Sequence, residues 1–152
     1  MTNFPPQIIP VEGYKVFLAG SIEMDKAAPW QDHLIKALSD LNVCWLNPRR
    51  QDWDSSWKAE KSNPIFAEQV NWELNGLEQA DLILMYFDPR TKSPISLLEL
   101  GLFARSGNML VCCPAGFWRK GNVDIVCERY GVGQFDEWDA WLEAVRARII
   151  AR

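Results

Sequence analysis

The side chain most suggestive of chemistry is Glu99, set in the largely apolar run Pro94-Ile95-Ser96-Leu97-Leu98-Glu99-Leu100-Gly101. The pattern around it reads as a strand, a turn and the opening of a helix. Its carboxylate therefore meets the positive end of a helix dipole, which favours the ionised form by about 0.3–1 kcal/mol. An ionised carboxylate in an apolar pocket is a candidate nucleophile. The competing assignment is a plain helix-capping or solvent-facing acid, and residue types leave both open. Glu73, in Val70-Asn71-Trp72-Glu73-Leu74, either points across a cleft or lies on the surface. Arg49 and Arg50 have the fork geometry to clamp a phosphate, or Arg49 pairs with Asp52 or Asp54. Trp53, Trp57 and Trp72 suit stacking on a planar base, a hydrophobic lid, or an oligomer contact. The chain has one histidine, His33, which gives a Ser-His-Asp arrangement poor support and is expected to be structural.

The hydropathy pattern supplies elements to position these groups. Lys15 to Ser21 reads as a buried strand turning into a loop, followed by a helix over Trp30 to Leu41. That helix has Trp30, Leu34, Ala37, Leu38 and Leu41 inward and Gln31, Asp32, Lys36 and Asp40 outward. Val43 to Leu46 is a second strand, and residues 49–63 form a loop long enough to serve a substrate. Asn63-Pro64 starts a helix to about Ala80 on Phe66, Val70, Leu74 and Leu77. Asp81 to Phe87 is a central strand. Ile95 to Ser106 is a helix with Leu97, Leu98, Gly101, Leu102 and Ala104 inward or close-packed. Met109 to Cys113 is a fourth strand, Ile125-Val126 a candidate short fifth, and Glu137 to Arg148 a last helix on Trp138, Trp141, Leu142, Val145 and Ile149.

This alternation predicts an α/β fold: a single domain over 1–152, a doubly wound, flavodoxin- or Rossmann-like parallel sheet of four to five strands with helices on both faces. Ligands then bind outside the carboxyl ends of the strands. The loops there gather Gly20, Ser21 and Ile22, then Asn47, Arg49 and Arg50, then Asp88 to Ser96 with Glu99, then Pro114 to Asn122.

Composition narrows the function. Sixteen Lys and Arg against twenty Asp and Glu leave a net charge of −4 over 152 residues, so no nucleic-acid partner is expected. At 48% hydrophobic and 24% charged, the chain is globular rather than disordered. Met1 to Val11 shows neither a signal peptide nor a membrane span, which points to the cytoplasm and no membrane partner. Cys44, Cys112, Cys113 and Cys127 form no Cys-x-x-Cys pair and are expected to be reduced, buried thiols rather than a metal site.

Several segments, in order, resemble the nucleoside 2-deoxyribosyltransferase family and its nucleoside 2-deoxyribosyltransferase-like branch. They are Val16 to Ile22, Asn47-Pro48-Arg49-Arg50, Gln69-Val70-Asn71-Trp72-Glu73, Ala80-Asp81-Leu82-Ile83 and Pro94 to Gly101, within about Lys15 to Asn122. The resemblance implies exchange of the base of a 2′-deoxyribonucleoside through a deoxyribosyl ester on Glu99. Glu73 would be the proton donor or base-recognition residue. Gly20, Ser21, Ile22, Asn47, Arg49, Ser93 and Ser96 would line the substrate, with Ser93 near the place of an acidic residue in many members. The tyrosine and carboxylate that close the site in some members are replaced by Ile149-Ile150-Ala151-Arg152.

The resemblance also implies that Asn122 serves the site of a neighbouring protomer in a homo-oligomer, whereas its residue type alone equally suits a turn after Gly121. No cofactor and no metal are implied; the partners are a deoxyribonucleoside and a free nucleobase. The alternatives are an N-glycosidase acting on nucleosides or nucleoside 5′-monophosphates, and a nucleotide-sensing module without turnover.

Overall fold

The structure is a computed structural model that describes residues 1–23, 26–50, 54 and 56–152. Its strands are β1 (Thr2–Asn3), β2 (Lys15–Gly20), β3 (Cys44–Leu46), β4 (Leu82–Tyr86), β5 (Met109–Cys112) and β6 (Gly133–Phe135). Its helices are α1 (Trp30–Ala37), α2 (Pro64–Gln79), α3 (Pro94–Phe103), α4 (Lys120–Tyr130) and α5 (Trp138–Ile150). The six strands lie in the order β1-β3-β2-β4-β5-β6, each pairing parallel to its neighbour. Without the short edge strand β1, the order is that of a flavodoxin-like doubly wound sheet, with its switch point between β2 and β4. No helix among the described residues is long and apolar enough to cross a membrane.

Each face of the sheet is covered. Val16, Leu18, Leu82 and Leu84 pack against Trp30 and Leu34 of α1, Leu38 at its C-cap, and Trp141, Val145 and Ile149 of α5. Phe17, Ala19, Ile83, Met85 and Val111 pack against Trp72 and Leu77 of α2, Leu100 of α3, and Val123 and Cys127 of α4. Strands apolar on both sides are the natural result, because each alternate residue meets a helix layer. All four cysteines are buried free thiols.

The structure corrects several expectations. The sheet has six strands, since Thr2–Asn3 and Gly133–Phe135 both pair. Ile125 and Val126 belong to α4, whose C-terminus is closed by Gly131 in the left-handed region, and the last strand follows it. Gln31, expected outward, is fully buried because it meets Arg49. On α2 the inward residues are Gln69, Trp72, Gly76 and Leu77, a rotation away from Phe66, Val70 and Leu74. Gly76 permits this rotation, because a Cβ there would come within 2.7 Å of the Phe17 ring. On α3, Ser96, Glu99 and Leu100 face inward, leaving Ile95, Leu98 and Leu102 more than half exposed.

The switch point is set by Gly20, which pairs with Tyr86 at the end of β2 and has φ +126°. A Cβ there would lie 2.7 Å from the Tyr86 nitrogen and closer still to its carbonyl oxygen. Only glycine fits such a backbone-to-backbone approach. Gly20→Ala is therefore expected to lower unfolding stability by about 2 kcal/mol or more, measured by urea denaturation.

Candidate active site

The loops at the carboxyl edge of β2 and β4 are stitched together by hydroxyls. Ser21, fully buried, accepts the Asp88 N–H through its Oγ at 2.8 Å. The same Oγ lies 2.9 Å from Thr91 Oγ1 and 2.6 Å from Ser93 Oγ, and Thr91 Oγ1 donates to the Asp88 carbonyl. Glu23 Oε1 accepts the N–H groups of Lys92 and Ser93. These bonds hold Ser93, a non-glycine residue at φ +45°, as the N-cap of α3 with Pro94 behind it. That strained start fixes the direction of the helix carrying Glu99.

Asp88 is a latch beside this cluster. Its carboxylate accepts the Ala28 N–H at 2.8 Å, the Arg90 N–H at 2.9 Å, and Arg90 Nε and Nη2 at 3.0 and 2.7 Å. Burial alone would raise its pKa, but the Arg90 side chain and the two backbone donors outweigh burial and hold it at about 2. It joins the loop before α1 to the loop before α3.

Glu99 is the sixth residue of α3 and only 7% exposed. Among the described residues its carboxyl has no hydrogen-bond partner. Burial, and after it the charge of Glu73, pushes its pKa up to about 8. This reverses the expectation of an acid ionised by the helix dipole, because Glu99 lies beyond the first turn where that field acts. Glu73, half-buried on α2, is also raised by burial, against a hydrogen bond from Gln69 that lowers it. Two neighbouring carboxyls, both raised, retain a proton near neutrality and can hold one ionised and one neutral group, the combination of a nucleophile and an acid.

The remaining candidates divide. Ser96 is buried one turn before Glu99 on α3, and Ser93 stands at the head of that helix. Gly20, Ser21 and Ile22 reach the same edge, but the Ser21 hydroxyl is engaged within the protein. Asn47 is buried, with its Oδ1 accepting the Arg49 N–H. Arg49 spends its guanidinium on the Ala28 carbonyl at 3.1 Å and on Gln31 Oε1 at 3.4 Å, tying α1 to the loop after β3 rather than pairing with Asp54. Arg50 lies over the Trp57 ring. Trp72 packs in the core beside Phe17 and donates its indole N–H to the Gln7 carbonyl, so it is no stacking platform. Asp52 and Trp53 lie outside the described residues.

Asn122, exposed on the first turn of α4, lines a groove of about 310 Å³ with Leu97, Leu100, Gly101, Arg119, Val123 and Val126; neither Glu99 nor Glu73 lines it. His33 is exposed on α1. Sequence reasoning assigned no role to Gln69, Glu23 or Thr91, although the four-residue spacing of Gln69 from Glu73 is a readable sign that they share a helix face.

The raised Glu99 pKa has a stability consequence. Between the ordinary carboxyl pKa of 4.5 and the folded value of about 8, the folded protein holds a proton that the unfolded chain has released. Stability due to this group is complete below 4.5, falls as pH rises to about 8, and is level above. The slope is at most about 1.4 kcal/mol per pH unit. Denaturant melts of Glu99→Gln, which needs no proton, are expected to lack this decline and to show a variant more stable than the native protein above pH 8 but not at pH 5.

Comparison with known proteins agrees with the architecture and extends it. A conserved protein from Enterococcus faecalis V583 superposes with a TM-score of 0.62 at 15% identity, covering 90% of this chain and 99% of that one, a likeness of fold alone. No curated protein matches the chain. The family described as nucleoside 2-deoxyribosyltransferase like matches residues 13–117, a span that includes β2 through β5, both raised glutamates and the hydroxyl cluster at the switch point. The chain that folds around these two carboxyls belongs to the nucleoside 2-deoxyribosyltransferase-like family.

Proposed function

We propose that the protein exchanges the base of 2′-deoxyribonucleosides through a deoxyribosyl ester on Glu99. The observation that carries this reading is the pair of raised carboxyls: Glu99, buried without a hydrogen-bond partner among the described residues, and Glu73 close enough to act on its charge. A buried acid with no structural bond is a poor stability element and a good functional candidate.

In the first half-reaction Glu99, neutral at rest because burial and the charge of Glu73 raise its pKa, passes its proton to Glu73, and the ionised Glu99 oxygen then bonds to the anomeric carbon as the bond from that carbon to the base nitrogen breaks. The bonding pair leaves on the base, which takes a proton from neutral Glu73. In the second half, ionised Glu73 removes a proton from an incoming base. That base nitrogen attacks the anomeric carbon and frees the Glu99 carboxylate. Two displacements at one carbon return the starting configuration.

Incubation with deoxyadenosine, with and without a second free base, tests the reaction. Exchange is the expected outcome; release of deoxyribose alone would identify an N-glycosidase, and no turnover a binding module. Glu99→Ala is expected to lose at least about a thousandfold in kcat, the scale of losing an essential group. Intact mass spectrometry of the native chain mixed with substrate should show an added deoxyribosyl group absent from that variant.

The reading includes a homo-oligomer. On α3, Ile95, Leu98 and Leu102 form an exposed apolar stripe, and Asn122 lines the groove between α3 and α4. A second copy covering this face would carry Asn122 towards a neighbouring site. Mixtures of Glu99→Ala and Asn122→Ala should then recover part of the activity that each lacks; a native protein active as a monomer in light scattering would defeat the shared site.

A further inference from the structure

Gln69 carries the most specific unspent polar atom near the two carboxyls. It lies inward on α2, 4% exposed. Its Nε2 donates to the Pro48 carbonyl at 3.1 Å and to Glu73 Oε1 at 2.6 Å, which uses both amide protons. The Pro48 carbonyl can only accept, so the amide cannot be turned over without losing that bond. Its oxygen, Oε1, is therefore fixed on the other side. It is buried without a hydrogen-bond partner among the described residues.

A buried amide oxygen with no donor is costly, and one that persists beside a candidate active site is suited to a donor brought by the ligand. The Gln69 amide and the Glu73 carboxyl are joined by a hydrogen bond, which ties the two groups together four residues apart on α2. Glu73, in the protonated form that the proposed first half-reaction requires, offers one donor and Gln69 Oε1 one acceptor. The complementary ligand edge is a ring nitrogen beside an amino group, found in adenine and cytosine. Hypoxanthine and uracil place an oxygen where the amino group would be, and that oxygen would face Oε1 with no proton between them.

Resting on the deoxynucleoside reading of the site, we propose that Gln69 is a specificity-determining residue whose Oε1 accepts a hydrogen bond from the exocyclic amino group of the nucleobase, so that the site takes amino-bearing bases in preference to their oxo counterparts. Gln69 also positions Glu73 through Nε2, and the Pro48 carbonyl anchors both functions to the loop after β3.

The test compares kcat/KM for deoxyadenosine against deoxyinosine and for deoxycytidine against deoxyuridine, in the native protein and in Gln69→Met. Calorimetric binding of the four free bases to both proteins runs beside it. In at least one pair, the native protein is expected to favour the amino member by about tenfold or more, in turnover and in binding, the scale expected when a buried acceptor is left unpaired. Gln69→Met should bring that ratio to within about twofold. Its overall rate should fall as well, because Glu73 loses its donor, but a ratio taken on one protein is unaffected by the folded fraction.

No preference in the native protein, an oxo preference, or a ratio unchanged in Gln69→Met would overturn the assignment. Preferential binding of a free amino base without any nucleoside turnover would remove the proposed reaction and leave Gln69 assigned. Turnover without discrimination would do the reverse. A protein that neither binds a base nor turns over a nucleoside would remove both.

Discussion

The candidate site depends on the contact between the ends of β2 and β4, where Gly20 lets two backbones approach more closely than any side chain would permit. That approach delivers Ser21 to the Asp88 N–H and to the hydroxyls of Thr91 and Ser93. The hydroxyl cluster holds Ser93 in the left-handed region, from which α3 can leave the loop in only one direction. Glu99 is therefore aimed by a chain of short contacts beginning two strands away in sequence. Polar residues that touch no ligand still determine where the reactive one lies.

Glu99 is held at a cost to the fold. A carboxyl that is nearly inaccessible to water and lacks a hydrogen-bond partner among the described residues is more readily neutral than ionised, and a nearby second carboxyl makes ionisation harder still. The contrast with Asp88 on the same edge shows the role of partners. Asp88 is also buried, yet an arginine and two backbone N–H groups keep it ionised. One acid is saturated with donors and serves as a latch. The other has none among the described residues, which preserves both its proton affinity and its freedom to bond elsewhere.

Several residues that look available for a ligand are occupied within the chain. Arg49 fastens α1 to the loop after β3, and Trp72 fills the layer between α2 and the sheet. The apolar stripe of α3 shows the opposite situation: Leu98 and Leu102 are exposed although their types suit a core. In a helix whose sequence is apolar nearly all round, the inward face is decided by what the sheet and α4 present. The face that remains is suited to a second protein surface.

The strand-helix alternation, the parallel sheet and the convergence of loops on one edge were legible in the sequence, because period and chain punctuation are local properties. Glu99 and Glu73 were legible as charged residues among apolar neighbours. Their ionisation was not, since it depends on water excluded by distant elements and on a second carboxyl from another helix. The inward face of α2 was likewise undecidable locally, because Gly76 acts through its close approach to Phe17, a residue far from it in the sequence. The strand Gly133–Phe135 was missed because three half-buried residues carry too little pattern, and only the free edge of β5 makes them a strand. Residue order determines which elements can form; tertiary packing determines which face each one buries, which hydroxyls find one another, and which acid is shielded from water, because burial and electrostatics are set by neighbours in space.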